Sequence, residues 1–346
     1  MKNIHGGDIY INKNMIDFSA NINPLGLPRG VKIAIADSID KAVHYPDTSC
    51  DALREKLAQK YEVNKDYLIC GNGAADLIFA VTIALKPRKS LVLSPTFAEY
   101  EQALRAIGSE IIYYDLEESN NFKVDELIID AFTSDVDMVF LCNPNNPTGE
   151  VIKKSLLMKM INKCKDNNIV IVIDECFNSF LDQNEAYSVM KETADFDNLI
   201  VINAFTKLYA MPGVRLGFGA VNNKLIHEFI EKSMQPWNVS VLAQEAGIAA
   251  LEETEYVIKT KELITKERNY LMNELKQLGY NLYGSKANYI FFKGPKNLYE
   301  MCLENKMLIR DCSNYRGLEE GYYRIAVRTH EENVKLIDVL KNSIID

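Results

Sequence analysis

From residue 67 to about residue 220, short apolar runs rich in Val, Ile and Leu alternate with segments of helical period, and nothing else in the chain constrains its fold as tightly. Strands are expected over 67–70, 90–93, 110–114, 138–141, 169–173, 199–203 and 214–220, with helices over 74–85 and 98–107 among the intervening segments. The runs are too continuous for strands buried on one side only. They suit a largely parallel sheet covered on both faces, an α/β core whose site lies at the C-terminal strand ends. After residue 222 the rhythm changes: helices are expected over 224–235, 239–251 and 254–278. A compact α+β set follows, with strands over 288–292, 307–311 and 323–327 and helices over 298–305 and 331–342. The expected division is an N-terminal segment, 1–44, packing with the smaller unit and the site, a large unit, 45–255, and a small C-terminal α+β unit, 256–346.

Charge and cysteine usage narrow the function. A formal charge of −9 argues against an electrostatic grip on nucleic acid or on an anionic membrane face. No apolar run approaches the ~20 residues needed to span a bilayer. Met1–Gly7 lacks the apolar core of an export signal, so the cytoplasm is the expected location. The seven cysteines include no C-x-x-C pair and fit free thiols in a reducing compartment. The four histidines, His5, His44, His227 and His330, lie far apart, and nothing suggests a metal centre.

The chemistry-bearing residues fall at predicted strand ends. Ile171-Val172-Ile173-Asp174 delivers a carboxylate at the end of a buried strand, where it needs a cationic partner to stay ionised. Thr206-Lys207 follows the strand over 199–203, with Arg215 downstream. A lysine able to form a Schiff base, with an aspartate able to hold a pyridinium nitrogen protonated, is what pyridoxal phosphate chemistry requires. Gly71-Asn72-Gly73-Ala74-Ala75 opens a helix after a strand and offers backbone N–H groups to a phosphate. Thr206 adds a hydroxyl and Arg215 a forked cation to the same anion. Asn145-Asn146-Pro147 supplies an amide at a rigid turn, and Phe97 an aromatic face for a flat ring. A nicotinamide-dehydrogenase reading fails on the missing G-x-G-x-x-G spacing, and no P-loop is present.

Asn145-Asn146-Pro147-Thr148-Gly149, Asp174-Glu175, Thr206-Lys207 and Arg215, in this order, resemble the motif series of the class I/II aminotransferase superfamily. The resemblance implies the fold-type-I pyridoxal phosphate architecture and a homodimer with its active site at the subunit interface. It implies Lys207 as the lysine bonded to the coenzyme, Asp174 on the pyridine nitrogen and Asn146 on the ring hydroxyl. Phe97 would lie on the ring face, with Gly73, Ala74, Ala75, Thr206 and Arg215 around the phosphate. Tyr45 resembles the tyrosine that relatives lend to the neighbouring subunit's phosphate. Ala204 and Ala74-Ala75 depart from the polar residues common there, at the expense of side-chain but not backbone donors.

Two branches of the superfamily compete, the histidinol-phosphate aminotransferases and the threonine-phosphate decarboxylases of cobalamin biosynthesis. The opening His5-Gly6-Gly7, the segment 17–26, Pro95-Thr96-Phe97-Ala98-Glu99-Tyr100, Gln235-Pro236-Trp237 and 308–318 resemble the decarboxylases. So does Phe177, where the aminotransferases commonly carry a tyrosine. The implied substrate is a phosphorylated amino acid, with Arg324 on its carboxylate and His5, Gly6, Asn21 and Arg310 around its phosphate. Arg328 reads as a solvated charge. The rival from another class is a non-catalytic binding or regulatory module on the same fold, against which the intact Lys207, Asp174, Asn146 and Arg215 weigh.

Overall fold

The computed structural model describes residues 5–342. A two-residue strand, β1 (Ile16–Asp17), precedes seven strands that form the central sheet: β2 (Leu68–Gly71), β3 (Lys89–Ser94), β4 (Glu110–Asp115), β5 (Met138–Cys142), β6 (Val170–Asp174), β7 (Leu199–Ala204) and β8 (Gly217–Ala220). Their spatial order is β2-β8-β7-β6-β5-β3-β4, and only β8 runs antiparallel to its neighbours. Alternation along each central strand feeds two cores. Val139, Leu141, Ile171, Ile173, Leu199 and Val201 join one, while Phe140, Val172, Ile200 and Ile202 join the other on the opposite face. Each such side chain, once fully buried, contributes about 1.5–3 kcal/mol. That two-sided burial is the reason for the uninterrupted apolar runs. The edge strand β4 is the exception, with Glu110 and Asp115 exposed at its two ends.

A second sheet has the order β12-β13-β10-β9, built from β9 (Asn281–Tyr283), β10 (Tyr289–Lys293), β12 (Arg310–Asp311) and β13 (Tyr322–Ala326), all antiparallel. Between them in the chain, β11 (Met307–Leu308) pairs in parallel with β1, Ile16 against Met307 and Asp17 against Leu308. The single strand expected over 307–311 is therefore two. Ile309, itself buried, separates one half that binds the N-terminal segment from another that binds β13. The strand expected from residue 214 begins only at Gly217, because Arg215 adopts a left-handed φ of 61°, which an extended strand cannot hold. The N-terminal segment also reaches the larger sheet's layer, where the helix Arg29–Ser38 packs along the helix Val241–Glu252. No helix among the described residues is long and apolar enough to cross a membrane.

Candidate active site

At the C-terminal ends of β5, β6 and β7 the chain leaves a cleft of about 250 Å³. Its floor is Asp174, the last residue of β6. Tyr100 donates its hydroxyl to Asp174 Oδ2 at 2.7 Å, and the Cys176 backbone N–H donates to Oδ1 at 2.9 Å. Tyr100 is fully buried and stacked on Phe140 at 5.1 Å, so the carboxylate is held from below by a fixed donor. Lys207 follows β7 in a turn tied down by Asn23, whose backbone N–H donates to Lys207 O at 3.1 Å and whose side-chain amide donates to Leu208 O at 2.7 Å. No acidic group lies within ion-pair distance of the Lys207 ammonium among the described residues. Burial foremost, and then the nearby Arg324 and Arg215 guanidinium groups, lower its pKa to about 8. An amine in that state is a usable nucleophile and proton carrier near neutral pH.

One end of the cleft is a cup for a tetrahedral anion. The helix Ala74–Leu85 starts there behind Gly73, whose φ of +85° suits glycine, and Ala74 and Ala75 line the cleft. Gly217 of β8 lies against this start, and a Cβ there would sit 2.6 Å from the Ala74 nitrogen. Arg215, exposed, reaches over Gly73 and donates to Asn72 O at 3.4 Å and to Pro212 O at 3.3 Å, and it lines the cleft as Thr206 does. Phe97 and Phe177 supply aromatic walls. Lys207 Nζ stands 5.9 Å from the Phe177 ring centroid.

The other end is cationic. Arg310 and Arg324 are directly opposed in the β12–β13 register, and both are buried. Like charges so placed repel, an arrangement that an anion between them reverses. Arg324 donates to Asn146 Oδ1 and, at 2.7 Å, to Ser19 O, while its Nε has no hydrogen-bond partner among the described residues. Arg310 donates to Asn314 Oδ1 at 2.7 Å and to Asp311 O at 2.6 Å. Asn21 is buried, and its Oδ1 has no hydrogen-bond partner among the described residues. Gly6 packs so tightly on Ser19 that a side chain would overlap its carbonyl, and this contact carries His5 into the cleft. Unmatched polar atoms on buried Asn21 and Arg324 mark a place built for a polar ligand.

The structure thus gathers His5, Gly6, Asn21, Ala74, Ala75, Phe97, Asn146, Asp174, Phe177, Thr206, Lys207, Arg215, Arg310 and Arg324 around one cleft, with Gly73 against Arg215. Tyr45 lies outside it, mostly exposed and stacked on Trp237 at 4.3 Å. Arg328 is not the solvated charge expected: it is half-buried, donating to Asp17 O at 2.9 Å and paired with Glu332 at 2.8 Å, which secures β1 to the second sheet. Sequence reasoning assigned no role to Tyr100, Ser19, Tyr315 or Glu99. For Tyr100 a signal existed, since a tyrosine in a buried helix face needs a hydroxyl partner. Ser19 acts through its backbone carbonyl, which no side-chain pattern reveals. No cluster of three or more His, Cys, Asp or Glu among the described residues is arranged to hold a metal ion.

Residues 13–340 match the family of class I and II aminotransferases. A threonine-phosphate decarboxylase of Salmonella typhimurium is 35% identical over 95% of this chain and 91% of its own length. Among solved structures, the histidinol-phosphate aminotransferase from Clostridium acetobutylicum superposes with a TM-score of 0.89 at 31% identity, covering 95% of this chain and 98% of that one. The L-threonine-O-3-phosphate decarboxylase from Porphyromonas gingivalis does so with a TM-score of 0.83 at 26% identity, covering 95% and 99%. With the fold, the strand-end lysine and aspartate and the family match extending over nearly its whole length, the chain belongs to the class I and II aminotransferase family.

Proposed function

We propose that the protein is a pyridoxal phosphate-dependent decarboxylase that converts L-threonine O-3-phosphate to (R)-1-amino-2-propanol O-2-phosphate and CO₂ in cobalamin biosynthesis. The observation that carries this reading is the opposed, buried pair Arg310 and Arg324 at the end of the cleft away from the Gly73–Ala75 cup, with Asn21 and His5 beside it. A substrate with two anionic ends answers that much positive charge, and guanidinium forks match carboxylate and phosphate alike.

The residues present fit the coenzyme. The cup of Gly73, Ala74 and Ala75, closed by Thr206 and Arg215, would hold its phosphate; Phe97 would cover its ring; Asp174 would face its ring nitrogen. Arg324 and Tyr315 occupy Asn146 Oδ1, which leaves the amide N–H groups for a ring oxygen. Phe177 offers that oxygen no donor. When bound, pyridoxal phosphate supplies an electron sink for the pair left at Cα when a bond there breaks. Asp174, fixed in place by its two donors, would keep that sink protonated. The two arginines would orient the substrate: a grip on its phosphate that leaves its carboxylate free to depart would favour loss of CO₂. Lys207, its amine pKa lowered to about 8, would return a proton to Cα from Nζ. Tyr45, exposed on its own subunit, would reach the phosphate cup of a second copy in a homodimer, and the seven free, buried cysteines suit a reducing cytoplasm.

One observation favours a second reading, histidinol-phosphate aminotransferase: the higher TM-score to a protein of that name. Comparing kcat/KM for threonine phosphate with that for histidinol phosphate plus an oxo-acid acceptor separates the two. The decarboxylase reading expects turnover of the first alone; turnover confined to the second replaces it.

A further inference from the structure

Glu99 is an acid in a cleft otherwise equipped to hold anions. It stands in the first turn of the helix Ala98–Ala106, two residues after Phe97, with a side chain 13% exposed. Its Oε1 lies 3.3 Å from His5 Nε2, and its Oε2 is buried with no hydrogen-bond partner among the described residues. The titratable and charged groups around it come from every neighbouring element: His5 from the N-terminal segment, Asp174 from the end of β6, Lys207 after β7, Arg310 on β12 and Tyr315 beyond it. A carboxylate placed there would repel a phosphate dianion bound to Arg310; a carboxyl would instead donate to it. Glu99 lines the same cleft as Arg310, His5 and Asn21, which places its carboxyl in the subsite where that donation is needed.

We infer that Glu99 is a substrate-binding residue that enters the anion subsite as a neutral carboxyl, its Oε2–H donating to a phosphate-ester oxygen while Oε1 stays on His5, so that ester and carboxyl share one proton in the complex. The assignment rests on the phosphorylated-substrate reading above. Titration of the surroundings agrees with it. Burial pushes the Glu99 pKa up to about 7, whereas burial, Arg310 and Lys207 hold the His5 pKa below its ordinary value, which keeps the imidazole neutral at physiological pH. A phosphate monoester loses its second proton near pH ~6. Between Glu99 and the ester there is then one proton to hold, and above neutrality the free protein has already lost it. Binding must take it back from solvent.

The test uses coenzyme-loaded protein and isopropyl phosphate, a phosphate monoester without the amine or carboxylate needed for turnover. Calorimetric titration at pH 8 in two buffers of different ionisation enthalpy counts the protons taken up. Wild type is expected to take up about one proton more per ester than Glu99→Gln, and its Kd to weaken by up to about tenfold more per pH unit above neutrality than the variant's. Should the variant fail to fold, difference infrared spectroscopy of wild type at pH 8.5 decides, since ester binding must then produce a protonated-carboxyl C=O band. Equal proton uptake, or no such band, overturns the assignment to Glu99 while leaving the phosphorylated substrate standing. Absence of any binding of the ester removes both.

Discussion

At the scale of single residues, the proposed chemistry depends on Lys207, which burial and neighbouring guanidinium groups make reluctant to carry charge. Lys207→Ala should abolish covalent attachment of the coenzyme, read as loss of its visible absorbance, and remove turnover. A second consequence concerns stability. The native amine titrates at about 8, below its ordinary 10.5, so between those values the unfolded chain binds more protons than the folded one and stability rises with pH. Coenzyme-free Lys207→Met should lose that rise, and denaturant midpoints of the two proteins followed from pH 8 to 10.5 check it. Lys207, Asp174 and Asn146 were legible in the sequence because each sits in a short motif at a strand end, where local pattern and site coincide. Glu99 was not. A glutamate in the first turn of a helix is ordinary, favoured there by the helix dipole. Its role arises only when the fold brings His5 to it from 94 positions upstream.

At the scale of elements, two junctions position the ligand groups. β8 presses Gly217 against the helix start that forms the phosphate cup, so Gly217→Ala must displace backbone rather than a flexible side chain. Overpacking of this kind costs about 1–3 kcal/mol, and coenzyme affinity is expected to fall by about tenfold with the fold retained, measured by absorbance titration against circular dichroism. The β12–β13 pairing sets Arg310 opposite Arg324. Arg324→Lys keeps the charge and gives up the fork to Asn146 and Ser19; kcat/KM should fall by about ten- to a hundredfold, the worth of one charge-assisted hydrogen bond. The central strands could be read from the sequence because two-sided burial writes itself into apolar runs. The separation of β11 from β12 could not, since it is decided by which partner each half finds, one being β1 from the far end of the chain.

At the scale of the whole molecule, the fold brings the N-terminal segment, the central sheet and the second sheet together around one cleft, yet leaves Tyr45 and Trp237 stacked at the surface. If Tyr45 serves a second copy, Tyr45→Ala and Lys207→Ala subunits should each be nearly inactive alone. Mixing and re-association should then recover activity, because mixed dimers regain one complete site. Recovery absent from demonstrably mixed dimers would keep Tyr45 out of the mechanism. The sequence indicated this arrangement only through its resemblance to a family; an exposed aromatic pair has no local signature of the partner it meets.

On the proposed function Arg310 and Arg324 direct scission to the Cα–carboxylate bond, and turnover of carboxyl-¹³C L-threonine O-3-phosphate follows the fate of that bond. Purified, coenzyme-loaded protein should release all of the label as CO₂, one per substrate consumed, with unlabelled aminopropanol phosphate as the sole organic product. Label retained in an oxo acid, with no ¹³CO₂ evolved, would contradict it.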